Sequence, residues 1–260
     1  MSDPEKGTLT AKVEGHVGWI TIKNPRNRNA MNLSMYVQVP EVVNELVRAN
    51  VRVIVVRGYG KEAFGAGSDI SEFSELRTDE NAKAYDAAEA QAHTALESAP
   101  VPTIAMVHGA CRGGGLAIAL ACDLRFASED ASFAAPPAKL GIAFPHLASK
   151  SLAHTVGDAH ARYLLLTAST IDSNEAFRIG LIHGISKKSD LEGIVKSITS
   201  KICNLAPLSL TAAKISLANL KGQSTADQVK VALDGCYASN DYQEGIAAFL
   251  AKRAPNFGGT

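Results

Sequence analysis

Hydrophobic and polar positions along this chain follow two rhythms: short apolar runs without helical period, and longer stretches that repeat every three to four residues. LTAKVEGHVGWITI (9–22) alternates on either side of Glu14-Gly15 and predicts two short strands joined by a turn. VRVIVV (51–56), PTIAMV (102–107) and DLRFAS (123–128) predict further strands, buried where the run is wholly apolar, and LIHGIS (181–186) predicts the last one. LSMYVQVPEVVNELVRAN predicts a helix from about Pro40, where proline suits a first turn; a helix that begins earlier should kink there. Residues 81–98 alternate Ala with polar groups and predict an amphipathic helix. LASKSLAHTVG and AHARYLLLT predict two helices divided at Gly157-Asp158, and SNEAFRIG a short one capped near Asp172-Ser173 and stopped at Gly180. From Asp190 onward the pattern is wholly helical. The division is therefore a strand–helix region, 1–190, and a helical region, 191–260, with no Gly/Pro/Ser-rich linker to keep them apart.

The stretch from Val107 to Arg125 is the centre of this pattern. A buried strand leads into Gly113-Gly114-Gly115, and LAIALAC beyond it is apolar almost all round, as a buried helix would be. Glycines between a strand and a helix let a ligand approach the backbone closely, beside N–H groups that the first helical turn leaves unpaired. Those donors and the helix dipole favour negative charge. A tight turn packed on its own neighbours is the plainer account of three glycines. A second glycine turn upstream, Ala66-Gly67-Ser68-Asp69, weighs against it, because two such turns could each give one N–H to a single oxygen.

Composition narrows the function classes. Apolar residues make up 46% and charged residues 20% of 260 positions, an ordinary globular balance. Lys plus Arg equals Asp plus Glu at 26 each, so no overall field attracts nucleic acid or an acidic membrane. The opening MSDPEKGTLT lacks the basic and apolar regions of a secretory leader, and no apolar run is long enough to span a bilayer. Cys111, Cys122, Cys203 and Cys236 show neither CxxC nor zinc spacing and read as reduced, mostly buried small hydrophobes. A cytoplasmic location is the expectation.

Several chemistries are unsupported. There is no GxSxG nucleophile elbow, phosphate-binding GxxxxGK[ST] or HExxH. VRVIVVRGYGKEA has the shape of a dinucleotide fingerprint, but the strand with an acidic end that should follow is replaced by the polar SELRTDENAKAY.

The ordered set NPRNRNAMN, FGAGSDISEF, HGACRGGGLAIALACDLRFAS, FAAPPAKLGI, SNEAFRIGLIHGI and DYQEGIAAFLAKRAPNF resembles the crotonase, or enoyl-CoA hydratase/isomerase, superfamily over nearly the full chain. The resemblance implies an α/β fold, a spiral of ββα units with a C-terminal helical trimerisation region. It implies an acyl-CoA thioester as substrate and no cofactor beyond the CoA moiety. It also implies a homotrimer or a dimer of trimers, with no nucleic acid or membrane partner. By position, the backbone N–H groups of Ser68 and Gly114 would hold the thioester oxygen as it becomes enolate-like, with Ala66 beside the CoA. Preorganised donors of this kind are worth about 3 kcal/mol each. Arg26, Arg28 and Ala30 would run along the nucleotide end, arginine suiting phosphate through its planar fork of donors. Phe249, Lys252 and Phe257 would lie near the CoA of a neighbouring subunit.

Two departures bear on the reaction. Hydratases of the family carry two glutamates that activate water, and the matching positions here are Ala117 and Pro137. Neither side chain transfers a proton. His146, in the loop that faces the ligand in relatives, is the first candidate to replace them, since histidine titrates near neutrality. A loop histidine bonded to a backbone carbonyl is the alternative. Asp69 reads as a cap of the turn that follows it. The expectation is an acyl-CoA enzyme of the hydratase/isomerase class. A hydrolase, decarboxylase or isomerase on the same scaffold, and a CoA-ester binding protein with vestigial catalysis, stay open.

Overall fold

The structure, a computed structural model, describes residues 7–260 apart from the side chains of residues 79 and 80; MSDPEK, read above as lacking a leader pattern, lies outside the described residues. The chain runs β1 (Thr8–Glu14), β2 (Val17–Lys23), α1 (Leu33–Arg48), β3 (Val53–Gly58), β4 (Ala63–Gly65), α2 (Phe73–Leu76), α3 (Asp79–Glu97), β5 (Thr103–Val107) and β6 (Ala110–Arg112). It continues with α4 (Gly114–Ala121), β7 (Leu124–Ser128), β8 (Ser132–Ala134), α5 (His146–Thr167), β9 (Thr170–Asp172), α6 (Ser173–Arg178) and β10 (Gly184–Ser186). Four helices close it: α7 (Leu191–Cys203), α8 (Pro207–Leu220), α9 (Ala226–Tyr237) and α10 (Asn240–Leu250).

The strands form two sheets, one ordered β1-β2-β3-β5-β7-β10 and one ordered β4-β6-β8-β9. Three successive strand pairs, β3/β4, β5/β6 and β7/β8, each give the first strand to the large sheet and the second to the small one before a helix follows. This is the spiral of ββα units that the family resemblance implies. Pairing is parallel except at β1/β2 and β8/β9.

The wholly apolar runs are explained by burial on both faces, as expected of a covered parallel sheet. In β3, Ile54 and Val56 face the main core while Val53 and Val55 face a second core. Likewise Ala105 and Val107 of β5 face the first, and Ile104 and Met106 the second. The second core is closed by Leu191, Val195 and Ile202 of α7, so the helical region begins by covering the sheet. All eight residues of α4 are buried.

One local expectation needs correction and another holds. The first long helix starts at Leu33, not near Pro40, because Asn32 caps it by accepting a hydrogen bond from Met35 N at 2.8 Å. Pro40 then sits in the interior, where its missing N–H leaves the Tyr36 carbonyl without a helical donor. The division at Gly157 does occur: φ 76° and ψ 158° break α5 there.

Candidate active site

The short strands β4 and β6 are parallel neighbours, paired at Ala63/Ala110 and Gly65/Cys111. Ser68 and Gly114 each lie three residues beyond the second pair, so the two glycine turns leave the same sheet edge side by side. Ligands of parallel sheets bind beyond such carboxyl ends. At the first turn, Met31 N donates to Gly67 O at 2.8 Å and Asp69 N donates to Met31 O at 2.7 Å. Alternate N–H groups of an extended segment point to opposite sides, so the Ser68 N–H faces away from Met31. At the second turn Gly113 has φ 49° and ψ −119°, a conformation that side chains disfavour, and this bend starts α4. Neither the Ser68 nor the Gly114 amide donates to another group among the described residues. A methyl at Gly114 would lie 3.2 Å from Ser68 N and would collide with the Tyr36 hydroxyl, which is how closely the two turns approach.

Both turns open on a cavity with two lobes. The smaller lobe, about 70 Å³, is bounded by Ala66, Ser68, Gly114 and Pro137. The larger, about 690 Å³, is bounded by Gly114, Ala117, Ile118, Phe144 and His146. Phe73, Arg77 and Glu89 are walls of both. Ala117 and Pro137 thus line the cavity and offer it no titratable group.

Glu89 is the residue that sequence reading missed. It lies in α3 within the buried stripe Tyr85, Ala88, Ala92 and Leu96, at a position where helical periodicity calls for an apolar side chain. A carboxylate on the apolar face of an alanine-rich helix was the available signal. Ser68 Oγ donates to Glu89 Oε1 at 2.8 Å, and Arg77 Nη2 donates to Glu89 Oε2 at 3.0 Å. Because the Ser68 proton is used this way, the Tyr36 hydroxyl is the donor in its 2.9 Å contact with Ser68 Oγ. Burial pushes the Glu89 pKa above its ordinary value despite the opposing pull of Arg77 and the Ser68 hydrogen bond. Burial also pushes the Tyr36 phenol well above its usual value, with the Glu89 charge adding to it. Arg77 is held in place by the rings of Phe73 and Tyr85, 5.0 and 4.8 Å from its guanidinium.

The other acids near the first turn are occupied. Asp69 accepts from Asn24 Nδ2 at 3.1 Å, Asn27 Nδ2 at 2.7 Å and Ser71 Oγ at 2.7 Å, and it caps the turn 70–72 through Ser71 N. Burial acts to raise its pKa, but these hydrogen bonds outweigh burial and hold it below the usual carboxylate value. Glu72 accepts from Leu33 N at 2.8 Å at the start of α1.

The remaining sequence-derived candidates are spread around this centre. His146 is exposed at the mouth of the larger lobe, at the first position of α5. Arg26 and Arg28 are exposed on the loop before α1, and Arg28 O accepts from Ala66 N at 3.1 Å, tying that loop to the first turn. Ala30 is buried in the same loop, where its carbonyl accepts from Asn24 Nδ2 at 2.9 Å. Lys252, with φ 52°, follows α10 and is not among the residues lining the cavity of its own chain. Tyr237 and Tyr242 pack edge to face, with ring centroids 5.7 Å apart, and neither lines the cavity.

Comparison with known proteins shows the family and the fold. The sequence model described as Enoyl-CoA hydratase/isomerase matches residues 12–260. A short-chain-enoyl-CoA hydratase of Clostridium acetobutylicum is 32% identical, the match covering 96% of this chain and 97% of the relative. The peroxisomal Delta(3,5)-Delta(2,4)-dienoyl-CoA isomerase of Arabidopsis thaliana is 31% identical over 96% of this chain and 95% of its own. The crystal structure of an enoyl-CoA hydratase/carnithine racemase from Magnetospirillum magneticum superposes with a TM-score of 0.90 at 32% identity, covering 97% of this chain and 96% of that one. A ββα spiral, paired glycine turns over a cavity and similarity along almost the whole chain place this protein in the enoyl-CoA hydratase/isomerase family.

Proposed function

We propose that this protein transforms unsaturated acyl-CoA thioesters by holding the thioester oxygen between the main-chain N–H groups of Ser68 and Gly114. The observation that carries the reading is the equal offset of the two turns from one strand pair, with both amides left without partners among the described residues. As charge moves from the α-carbon onto the oxygen, donors already in place stabilise it without reorganisation. The apolar walls Phe73, Ile118 and Phe144 suit an acyl chain and exclude water from the anion. On this reading Arg26, Arg28 and Ala30 meet the nucleotide end of CoA, and the Ala66–Arg28 backbone hydrogen bond, which ties their loop to the first turn, supports it. Ala117 and Pro137 stand where the family's water-activating glutamates would be, so two-glutamate hydration is not the proposed chemistry.

The reading includes self-association through the terminal helices. Leu220, Val231, Phe249 and Leu250 expose large apolar side chains, 82%, 71%, 83% and 75% accessible, on α8, α9 and α10. Apolar surface of that kind is usual at an interface. Lys252 would then serve a neighbouring subunit's site.

The test is incubation of the protein with 2-enoyl-CoA and 3-enoyl-CoA thioesters while the conjugated enoyl-thioester absorbance is followed. Loss from the first or gain from the second is expected. Absence of both, together with no binding of any acyl-CoA, would defeat the proposal.

A further inference from the structure

We propose that Glu89 is the catalytic acid–base of this site, taking and returning the proton at the α-carbon of the bound acyl thioester. The inference deepens the proposed function and rests on it. Its basis is a juxtaposition: the residue whose amide would hold the thioester oxygen also fixes this carboxylate, through Ser68 Oγ at 2.8 Å. The α-carbon is bonded to the carbonyl carbon whose oxygen the amides hold. A carboxylate one side chain away from that amide is therefore within reach of the α-hydrogen.

Elimination within the cavity leads to the same residue. Ala117 and Pro137 carry no titratable group. Asp69 and Glu72 are consumed by the turn and by the start of α1. Asp86 is exposed and faces Arg77 at 2.9 Å. His93, one turn further along α3, is turned to Ser151 Oγ at 3.0 Å. His146 stands at the mouth. Glu89 alone among these is both buried, at 7% exposure, and part of the walls of both lobes. Its oxygens accept from Ser68 and Arg77, which leaves acceptor capacity on a carboxylate that lines the cavity.

The step balances with the groups present. A Glu89 oxygen takes the α-hydrogen as a proton, the C–H electron pair forms the C=C bond of the enolate, and the carbonyl π pair moves to the oxygen held by Ser68 and Gly114. Return of a proton to the α-carbon restores the thioester, and it carries solvent deuterium whenever the carboxyl proton exchanges with D2O before that return. In a β,γ-unsaturated chain, its return to the γ-carbon instead moves the double bond into conjugation. One carboxylate suffices for this exchange, and one buried carboxylate lines the cavity among the described residues.

The experiment measures deuterium uptake at the α-carbon of butyryl-CoA in D2O by mass spectrometry, with butyryl-CoA affinity measured in parallel. The unmodified protein should incorporate deuterium, and Glu89→Gln should slow uptake by about 100-fold or more while binding butyryl-CoA with unchanged affinity. Uptake by Glu89→Gln at the original rate overturns the proposal and leaves the acyl-CoA reading standing. Tight binding without uptake by the original protein does the same. Failure of the original protein to bind butyryl-CoA removes both. Should Glu89→Gln misfold because Arg77 loses its partner, the pH profile decides. The titratable groups that interact with Glu89 are Arg77, Asp86, Tyr36 and Tyr85, and His93 lies one turn along the same helix. Of these Arg77 favours the carboxylate, so Arg77→Met should displace the acid limb of uptake to higher pH. An unmoved limb overturns the proposal.

Discussion

Ser68 ties itself to Glu89 with its side chain alone: the hydroxyl donates to Glu89 Oε1 at 2.8 Å, while the Ser68 amide keeps no partner among the described residues. The strand bridge to Met31 leaves the amide facing away from that strand, and the side chain is fixed by Tyr36 and Glu89. On the proposed reading, the oxyanion donors and a buried carboxylate share one residue as their common support. The predictions below separate those two contributions.

Ser68→Ala keeps the amide and removes the hydroxyl. The lost hydrogen bond had favoured the Glu89 carboxylate, so its pKa should rise further and the acid limb of the rate profile should move to higher pH. Above that limb the rate should stay within about tenfold of the original, the loss of roughly one hydrogen bond. A pH–rate profile of 3-enoyl-CoA turnover checks both parts.

Gly114→Pro removes the other donor. Proline is tolerated at the first position of a helix, which Gly114 occupies in α4, but its ring would meet the Tyr36 hydroxyl. The variant is therefore best made with Tyr36→Phe, and compared with Tyr36→Phe alone. Turnover should fall by about 10²–10³ between the two, with the circular dichroism unchanged.

Asp69→Ala should destabilise the fold by about 2 kcal/mol or more, because it removes a carboxylate that accepts several hydrogen bonds. The Asp69 pKa is lowered in the folded state, so its contribution is present above the unfolded value of about 3.9 and lost as pH falls through the folded value. The difference in urea midpoint between the two proteins should be largest near neutrality and shrink in acid.

If the terminal helices form the proposed interface, Phe249→Glu should dissociate it. Phe249 is 83% accessible in the single chain, so the change strains nothing within the subunit. Light scattering is expected to give three or six times the 27.3 kDa chain mass for the original protein and a smaller multiple for the variant.

Most of the large sheet and α4 were legible as unbroken apolar runs, because both faces are buried, and the terminal helices as longer stretches repeating every three to four residues. The small sheet was not, since β4, β6, β8 and β9 have three residues apiece and no alternation can be read in so few. The two glycine turns were legible as turns, but their equal register comes from pairing within that hidden sheet. Asn32 outweighed Pro40 at the start of α1 because a satisfied cap sets a helix end more firmly than a residue that merely tolerates one. Glu89 escaped notice for the opposite reason. Polar residues in an alanine-rich helix are assumed to face water, and only packing against α1 and α4 reveals that this one does not.

The most direct test of the paired amides is the infrared carbonyl stretch of an acyl-CoA labelled with carbon-13 at the thioester carbon, free and bound. Convergence of the Ser68 and Gly114 N–H groups on the oxygen predicts a bound frequency clearly below the free one, with much of that shift lost when proline replaces Gly114 in the Tyr36→Phe background. A bound carbonyl that absorbs at the free frequency would contradict the account.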